Sequence, residues 1–297
     1  VLICGLCCAG IGFVSIQLAG FCLIPGKILL SCYEKLCVLA GAVPFCTWIG
    51  GAPKIWKCVV YYVILLGGIQ AAWFLREKGG CRVRRFLPRG ICVAVVCVSV
   101  LILGFRQRGE LLITCLDIGQ GDGIVIQLPG GKNVMVDGGS SSKKNVASYQ
   151  ILPYLKNQGI SVVDAMLISH TDLDHISGVQ ELLTLKEKHL TTLRIRNLLL
   201  PDWKAPEAVY HELEEQAKRC GISVIRLHQG QKLRFGGVSL KILAPEPGAD
   251  GTDVNEEGVV LELEYGKFRG LFTGDIGAET EKKLLPELDD VDFLKVG

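Results

Sequence analysis

The sequence predicts membrane helices followed by a layered α/β domain. Three observations carry this reading. Mean hydropathy is +0.36, with 49% hydrophobic residues against 21% charged. That is too apolar for a single water-soluble globule, whose surface must carry charge. Charge also divides along the chain. Residues 1–105 hold ten Lys/Arg and two Asp/Glu, Glu34 and Glu77, a net of +8, whereas residues 106–297 hold twenty-two and twenty-eight, a net of −6. Cysteine divides the same way, with eleven of thirteen before residue 106. Two halves in different solvents account for all three, with the boundary placed between 1–109 and 110–297.

Residues 1–24 carry no charge, and the run exceeds the roughly 20 residues a helix needs to cross a bilayer. A signal peptide would show a basic start and a short apolar core; neither is present. Residues 58–75 and the shorter 90–105 read as further spans, with Tyr61, Tyr62 and Trp73 toward the ends of the first. Residues 28–50 read as an amphipathic helix in the interface, because Glu34 and Lys35 are costly at bilayer depth. A fourth span with Glu34 paired to Lys35 is the alternative. The stretch 76–89 carries Arg76, Lys78, Arg82, Arg84, Arg85 and Arg89 against Glu77 alone. By the positive-inside rule it is a cytoplasmic loop, which places the chain beyond residue 105 outside the cytoplasm. Cys4, Cys7 and Cys8 read as apolar thiols of a membrane helix rather than a metal cluster, since no second pair stands at zinc-ligand spacing. Cys115 and Cys220 are too few for a disulfide framework.

From residue 110 the pattern changes. Leu111–Asp117 reads as a buried strand, Gly119–Gly123 as a turn, Ile124–Leu128 as a strand closed by Pro129-Gly130-Gly131, and Asn133–Asp137 as a strand ending in Gly138-Gly139. Ser148–Gly159 reads as a helix and Val162–Ile168 as the next strand. Short strands at glycine turns, then strand–helix alternation, predict a layered α/β fold.

At the end of that fourth strand stands Ser169-His170-Thr171-Asp172-Leu173-Asp174-His175. His170, Asp172, Asp174 and His175 offer imidazole nitrogen and carboxylate oxygen, donors that zinc and manganese accept. In an extended loop the alternation puts every other side chain on one side, joined by the terminal histidine. The plain alternative is a polar helix start capped by Asp172 or Asp174. Asp275 comes after the strand Gly270–Thr273 and a glycine; alone it reads as an ordinary strand-end turn, Thr-Gly-Asp, and with His170–His175 upstream as a carboxylate able to bridge two metals. Asp137 also ends a strand, where it is either a turn former or an anchor that orients the ligand loop.

The run resembles the His-x-His-x-Asp-His motif of the metallo-β-lactamase fold, with Asp172 in place of the middle histidine. Together with Leu116-Asp-Ile-Gly-Gln-Gly-Asp122 it is similar to the ComEC family of competence channels, bacterial membrane proteins of DNA uptake. Val136–Gly139, Ile151–Leu155 with Gly159-Ile160, Leu271–Glu279 and Asp290–Gly297 resemble further segments of that family in order, so the likeness covers residues 111–297. It implies an αββα sandwich holding two divalent ions, zinc or manganese. The ligands carried over are His170, Asp172, Asp174, His175 and Asp275, with Asp174 also orienting the nucleophile and Asp137 and Asn255 supporting from behind. It further implies a multi-pass protein of the bacterial cell membrane with this domain outside. The activity implied is a metal-dependent phosphodiesterase or nuclease. The partners implied are single-stranded or incoming double-stranded DNA, membrane lipid and other uptake proteins. A catalytically inactive channel and a membrane-anchored hydrolase of another substrate are the alternatives.

The chain departs from the family at Gly123, where serine is usual, and at Asn255-Glu-Glu-Gly258. His189, His211 and His228 do not fit the ligand pattern. The start at Val1 inside an apolar run and the stop at Gly297 after a strand lead us to expect a fragment, its domain incomplete at the C-terminus and its metal site half built. A net of −6 opposes easy DNA binding; Lys143, Lys144, Lys186, Lys188, Arg194 and Arg196 are the residues available for a basic patch, or else simply solvated.

Overall fold

Alternation along the central strands decides the architecture of the computed structural model, which describes residues 1–42, 48–78, 81–104 and 109–297. It forms two compact units, Val1–Trp48 and Ile49–Gly297. The first holds α1 (Leu2–Gly12) and α2 (Ile16–Ala42). The uncharged run 1–24 is therefore not one helix; it breaks at Phe13–Ser15. The expected stretch 28–50 does not stand as a helix of its own: α2 runs through Pro25, Glu34 and Lys35 to Ala42. Residues 43–47 of that expected stretch lie outside the described residues. Cys4 of α1 packs 3.4 Å from the position a Cβ would take on Gly26 of α2.

The second unit opens with α3 (Ile55–Lys78) and α4 (Cys81–Gly104), which pack together. Gly68 lies so close to Val95 that a side chain there would overlap it. The loop expected at 76–89 is corrected to the ends of two helices; Gly79 and Gly80 and the side chains of residues 81–88 lie outside the described residues. Among the described residues two helical segments are long and apolar enough to cross a membrane, Ile16–Ala40 and Ile55–Glu77, and within the structure they are 11% and 0% buried. Large apolar side chains such as Leu29, Val63 and Leu66 stand exposed on them.

The α/β part carries two large sheets and a two-stranded one. In the first, β1 (Leu112–Cys115), β2 (Ile124–Gln127) and β3 (Asn133–Val136) run antiparallel. Beside β3, β5 (Ala165–Leu167), β7 (Asn197–Pro201) and β8 (Ser223–Leu227) continue in parallel. The expected strand 162–168 is interrupted at Asp164: β4 (Val162–Val163) pairs instead with β6 (Arg194–Ile195). Asp164 accepts the backbone N–H of Asn133 and the charges of Lys132 and Arg196. The expected buried first strand is an edge strand, half exposed. The second sheet orders β13 (Phe293–Lys295), β12 (Phe268–Phe272), β11 (Val260–Tyr265), β10 (Val238–Ala244) and β9 (Lys232–Phe235).

Side chains alternate across a strand, and the two cores obey that rule. Ile124, Ile126, Val134, Val136 and Leu167 point between the sheets, onto Leu240, Leu261 and Phe272. Val125, Met135, Met166 and Leu198 point the other way, under α5 (Leu152–Asn157), α6 (Leu173–Glu187) and α7 (Ala208–Arg219). A third cluster, Leu243, Val260, Leu271 and Leu284, sits under α8 (Ala278–Leu284). The layers are α, β, β, α, as expected. The expected helix 148–159 begins as a π-turn, Ala147–Ile151, whose free N–H groups are taken by Glu181 of α6 at 2.9 and 3.2 Å.

Candidate metal centre

Parallel pairing brings the C-terminal ends of β3 and β5 to one edge of the sheet. Asp137 comes directly after β3, and Ser169-His170 after β5. Asp137 has φ +54°, a left-handed conformation that suits Asp or Asn. It is 2% exposed. Its Oδ1 accepts the Ser169 N–H at 2.8 Å, and its Oδ2 accepts the Ser169 hydroxyl at 2.7 Å and stands 3.1 Å from His175 Nδ1. From the far sheet, Val259 donates to the Ser169 carbonyl at 2.8 Å.

Ser169 sets the histidine tautomers. Its one hydroxyl proton goes to Asp137, so its oxygen accepts from His170 Nδ1 at 3.0 Å. The lone pair of His170 then sits on Nε2, a buried atom with no hydrogen-bond partner. Burial holds the His170 imidazole below its ordinary value, and His175 adds to this; the charges of Asp137, Asp275 and Asp172 oppose it. For His175 burial also lowers, but the Asp137 hydrogen bond and the charges of Asp137, Asp275 and Asp122 prevail and raise it to about 9. Its Nε2 lies 3.3 Å from Asp275 Oδ2. The two rings are 4.0 Å apart between centroids.

Ligand atoms of His170, His175 and Asp275 lie within 4.8 Å of one another. Two imidazoles, one carboxylate and an orphaned buried lone pair fit a divalent ion, and an apolar lining would not produce this set. A second group, Asp122, Asp137 and His175, meets the same distance. There Asp137 is already engaged by Ser169 and His175, and Asp122 by Lys295 at 2.7 Å.

The carboxylates of Asp172 and Asp174 lie outside the first group. The expected alternation assumed an extended loop. Instead α6 begins at Leu173, with Asp172 as its N-cap and Asp174 in its first turn. A helix turns about 100° per residue, so Asp174 and His175 diverge. Asp172 makes no capping bond; its Oδ2 stands 3.6 Å from His170 Nε2. Asn255 Oδ1 is buried without a partner, in the turn that leads through Gly258 to Ser169. His189 and His211 are exposed, and His228 bonds the Gln229 carbonyl. Of the basic residues, Lys143 pairs with Asp117 and Arg196 with Asp164. Sequence reasoning missed Ser169, Asp122 and Lys295 as members of the site. The sole signal was that Asp122 closes the Leu116–Asp122 segment and Ser169 opens the ligand run.

Close approach explains the glycines. Gly138 N–H donates to the His175 carbonyl at 2.9 Å and Asp122 N–H to that of Asp174 at 3.1 Å. A Cβ on Gly139 would lie 2.5 Å from backbone atoms of His175 and Ile176. Gly139→Ala therefore pushes α6 off the sheet. We expect a loss of roughly 3 kcal/mol, the range of core overpacking, and weakened metal retention, read by thermal unfolding with and without Mn²⁺. Unchanged melting would refute the tight contact.

A family model described as the metallo-beta-lactamase superfamily matches residues 116–295. Two curated proteins are similar to the chain. It is 26% identical over 223 residues to ComE operon protein 3 of Bacillus subtilis, covering 70% of this chain and 27% of that protein. It is 28% identical over 206 residues to Recombination protein 2 of Haemophilus influenzae, covering 69% and 23%. The chain thus spans about a quarter of the length of these relatives. Among solved structures, the metallo-beta-lactamase fold protein YhfI from Bacillus subtilis aligns at 18% identity over 60% of this chain and 63% of that one, with a TM-score of 0.40. The expected resemblance to the ComEC family is borne out by the two curated relatives. With a family match over more than half of its length, the chain belongs to the metallo-beta-lactamase superfamily.

Proposed function

We propose that the α/β part, residues 110–297, is a divalent-metal phosphodiesterase acting on DNA, carried by a membrane protein of DNA uptake. The observation that carries the metal reading is the buried, unpartnered Nε2 of His170 beside His175 and Asp275. The similarity to ComE operon protein 3 supports DNA as the substrate. The apolar segments Ile16–Ala40 and Ile55–Glu77 support a cell-membrane location, and the basic run 76–89 supports placing the domain outside.

In this reading His170, His175 and Asp275 hold the ion, with Asp172 close enough to His170 to join. A bound zinc or manganese ion supplies Lewis-acid stabilisation of charge on phosphoryl oxygens. The chain's own residues do the rest. Asp137 and Ser169 lock both imidazole orientations, and Asn255 supports the Ser169 loop. Asp275 shares the His175 proton until the site is loaded. Asp174, half-buried at the start of α6, is assigned to orient the attacking water. Water adds to phosphorus, one P–O bond breaks, and the departing oxygen takes up a proton.

The test is cleavage of a single-stranded oligonucleotide by the full chain with Mn²⁺ or Zn²⁺. We expect Asp275→Asn and Asp174→Asn each to lower the rate at least ~100-fold, the scale of losing one transition-state contact. Cleavage unaffected by either change would refute the site. DNA binding without any cleavage would support the inactive-channel reading.

A further inference from the structure

We propose that the cleft between the start of α3 and the first sheet holds the phosphate of an anionic phospholipid headgroup. The inference rests on the reading of α3 as a membrane segment.

The cleft lies within the second unit and has a volume of about 480 Å³, inside the roughly 300–1,000 Å³ of small-molecule sites. Backbone bonds build it. The Ala52 N–H donates to the Asn157 carbonyl at 2.7 Å, which pins the segment before α3 to the end of α5. The Lys54 carbonyl accepts from the Lys57 N–H at 2.9 Å, so the two lysines stand one helical turn apart. The opposite wall comes from the sheet, where Leu112 of β1 and Gln127 of β2 face each other in register.

Among the described residues, the charged ones lining the cleft are Lys54, Lys57 and Glu110. Two ammonium groups against one carboxylate leave +1, which one phosphodiester balances. Lys57 Nζ stands 5.7 Å from the centroid of the Trp56 ring, a cation–π contact that orients the ammonium. On the sheet side, Nε2 of Gln127 is buried without a hydrogen-bond partner. An unmet amide donor is costly, and a phosphate oxygen is an acceptor that would satisfy it. The remaining wall is apolar. It includes Leu103 near the end of α4, with Leu112 and Trp56, which are 47% and 58% exposed.

Placement selects the lipid. The apolar segment of α3 begins at Ile55, directly after Lys54. The start of α3 and the end of α4 both line the cleft, so it opens where both helices leave the hydrocarbon. Trp and Lys settle at headgroup depth, with their apolar parts toward the chains. A DNA strand calls for cations repeated along its backbone. Two lysines and a carboxylate beside an apolar wall suit a single phosphate joined to hydrocarbon.

The experiment weighs retained lipid. The full chain is placed in nanodiscs of phosphatidylcholine with a minor share of phosphatidylglycerol, released into detergent and measured by native mass spectrometry. We expect the parent to retain one phosphatidylglycerol. Lys54→Gln with Lys57→Gln lowers retention at least ~10-fold, whereas Lys54→Arg with Lys57→Arg keeps it. Gln127→Leu lowers it roughly 10-fold, the scale of a hydrogen bond to a charged group. Thermal melts beside each measurement show that the variants fold. Equal retention by the parent and the Lys54→Gln, Lys57→Gln double variant overturns this inference alone, as does phosphatidylcholine held as firmly as phosphatidylglycerol. Displacement of the lipid by millimolar inorganic phosphate makes the cleft a free-anion site, and displacement by a single-stranded oligonucleotide makes it a DNA contact; either overturns the lipid assignment. A parent chain that does not enter nanodiscs overturns the membrane reading and this inference with it.

Discussion

In His170→Ala, affinity for Mn²⁺ falls at least ~100-fold, while the metal-free protein melts within a few degrees of the parent. The two halves of this result belong together. His170 Nε2 is buried and bonded to nothing, so in the metal-free state that atom contributes a desolvation cost and no contact. Its removal takes little from the fold beyond ring packing against His175 and one bond to Ser169. For an ion it is one of three donors within reach, and losing a direct ligand costs more than the roughly 10–100-fold typical of losing a supporting partner. Calorimetric titration with Mn²⁺, beside thermal melts in chelator, checks both. A large loss of metal-free stability with unchanged affinity would make His170 a structural residue.

The metal-free protein loses stability between about pH 6.5 and 9, and Asp137→Asn removes that dependence. His175 is raised from its ordinary 6.5 to about 9 in the folded chain. A raised group binds its proton more tightly when folded, so its contribution is complete below about pH 6.5 and is lost as pH rises through about 9. At about 1.36 kcal/mol per pKa unit the change is on the order of 3 kcal/mol, or roughly 10 °C of melting temperature for a domain of this size. His170 shifts downward, so its contribution is lost as pH falls, in a separate window. Asn tolerates the left-handed backbone at position 137, so Asp137→Asn isolates the charge. It costs roughly 3 kcal/mol at neutral pH, as breaking a buried pair does. Metal binding must displace the His175 proton, so below about pH 9 each ion bound releases protons. Melts across this range in chelator, and proton release measured on Mn²⁺ addition, check the sign. A melting temperature flat across the whole range would sink it.

What could be read from the sequence was whatever is local. Continuous apolar runs marked β2, β3 and β5 because each strand faces a core on both sides. His170, His175, Asp137 and Asp275 were legible as candidates because polar donors follow closely on the apolar strands β3, β5 and β12. The charge-poor half was legible as apolar but not as elements. Lack of charge marks an apolar run, but it marks neither the break at Phe13–Ser15 nor the continuation of α2 past Glu34.

Asp172 and Asp174 show the limit most clearly. Their spacing is ideal for a loop, but α6 starts at Leu173, which leaves Asp172 as its N-cap, 3.6 Å from His170 Nε2, and Asp174 in its first turn. The sequence by itself determined a charge-poor helical half, an acidic layered α/β half and the chemistry of one ligand loop. All three rest on residue type and on spacings of a few residues. The tertiary structure alone decided which carboxylates meet which cations. Asp122 and Lys295 are 173 residues apart, and no periodicity encodes a contact that exists only because two sheets stack and their last strand returns to the first turn.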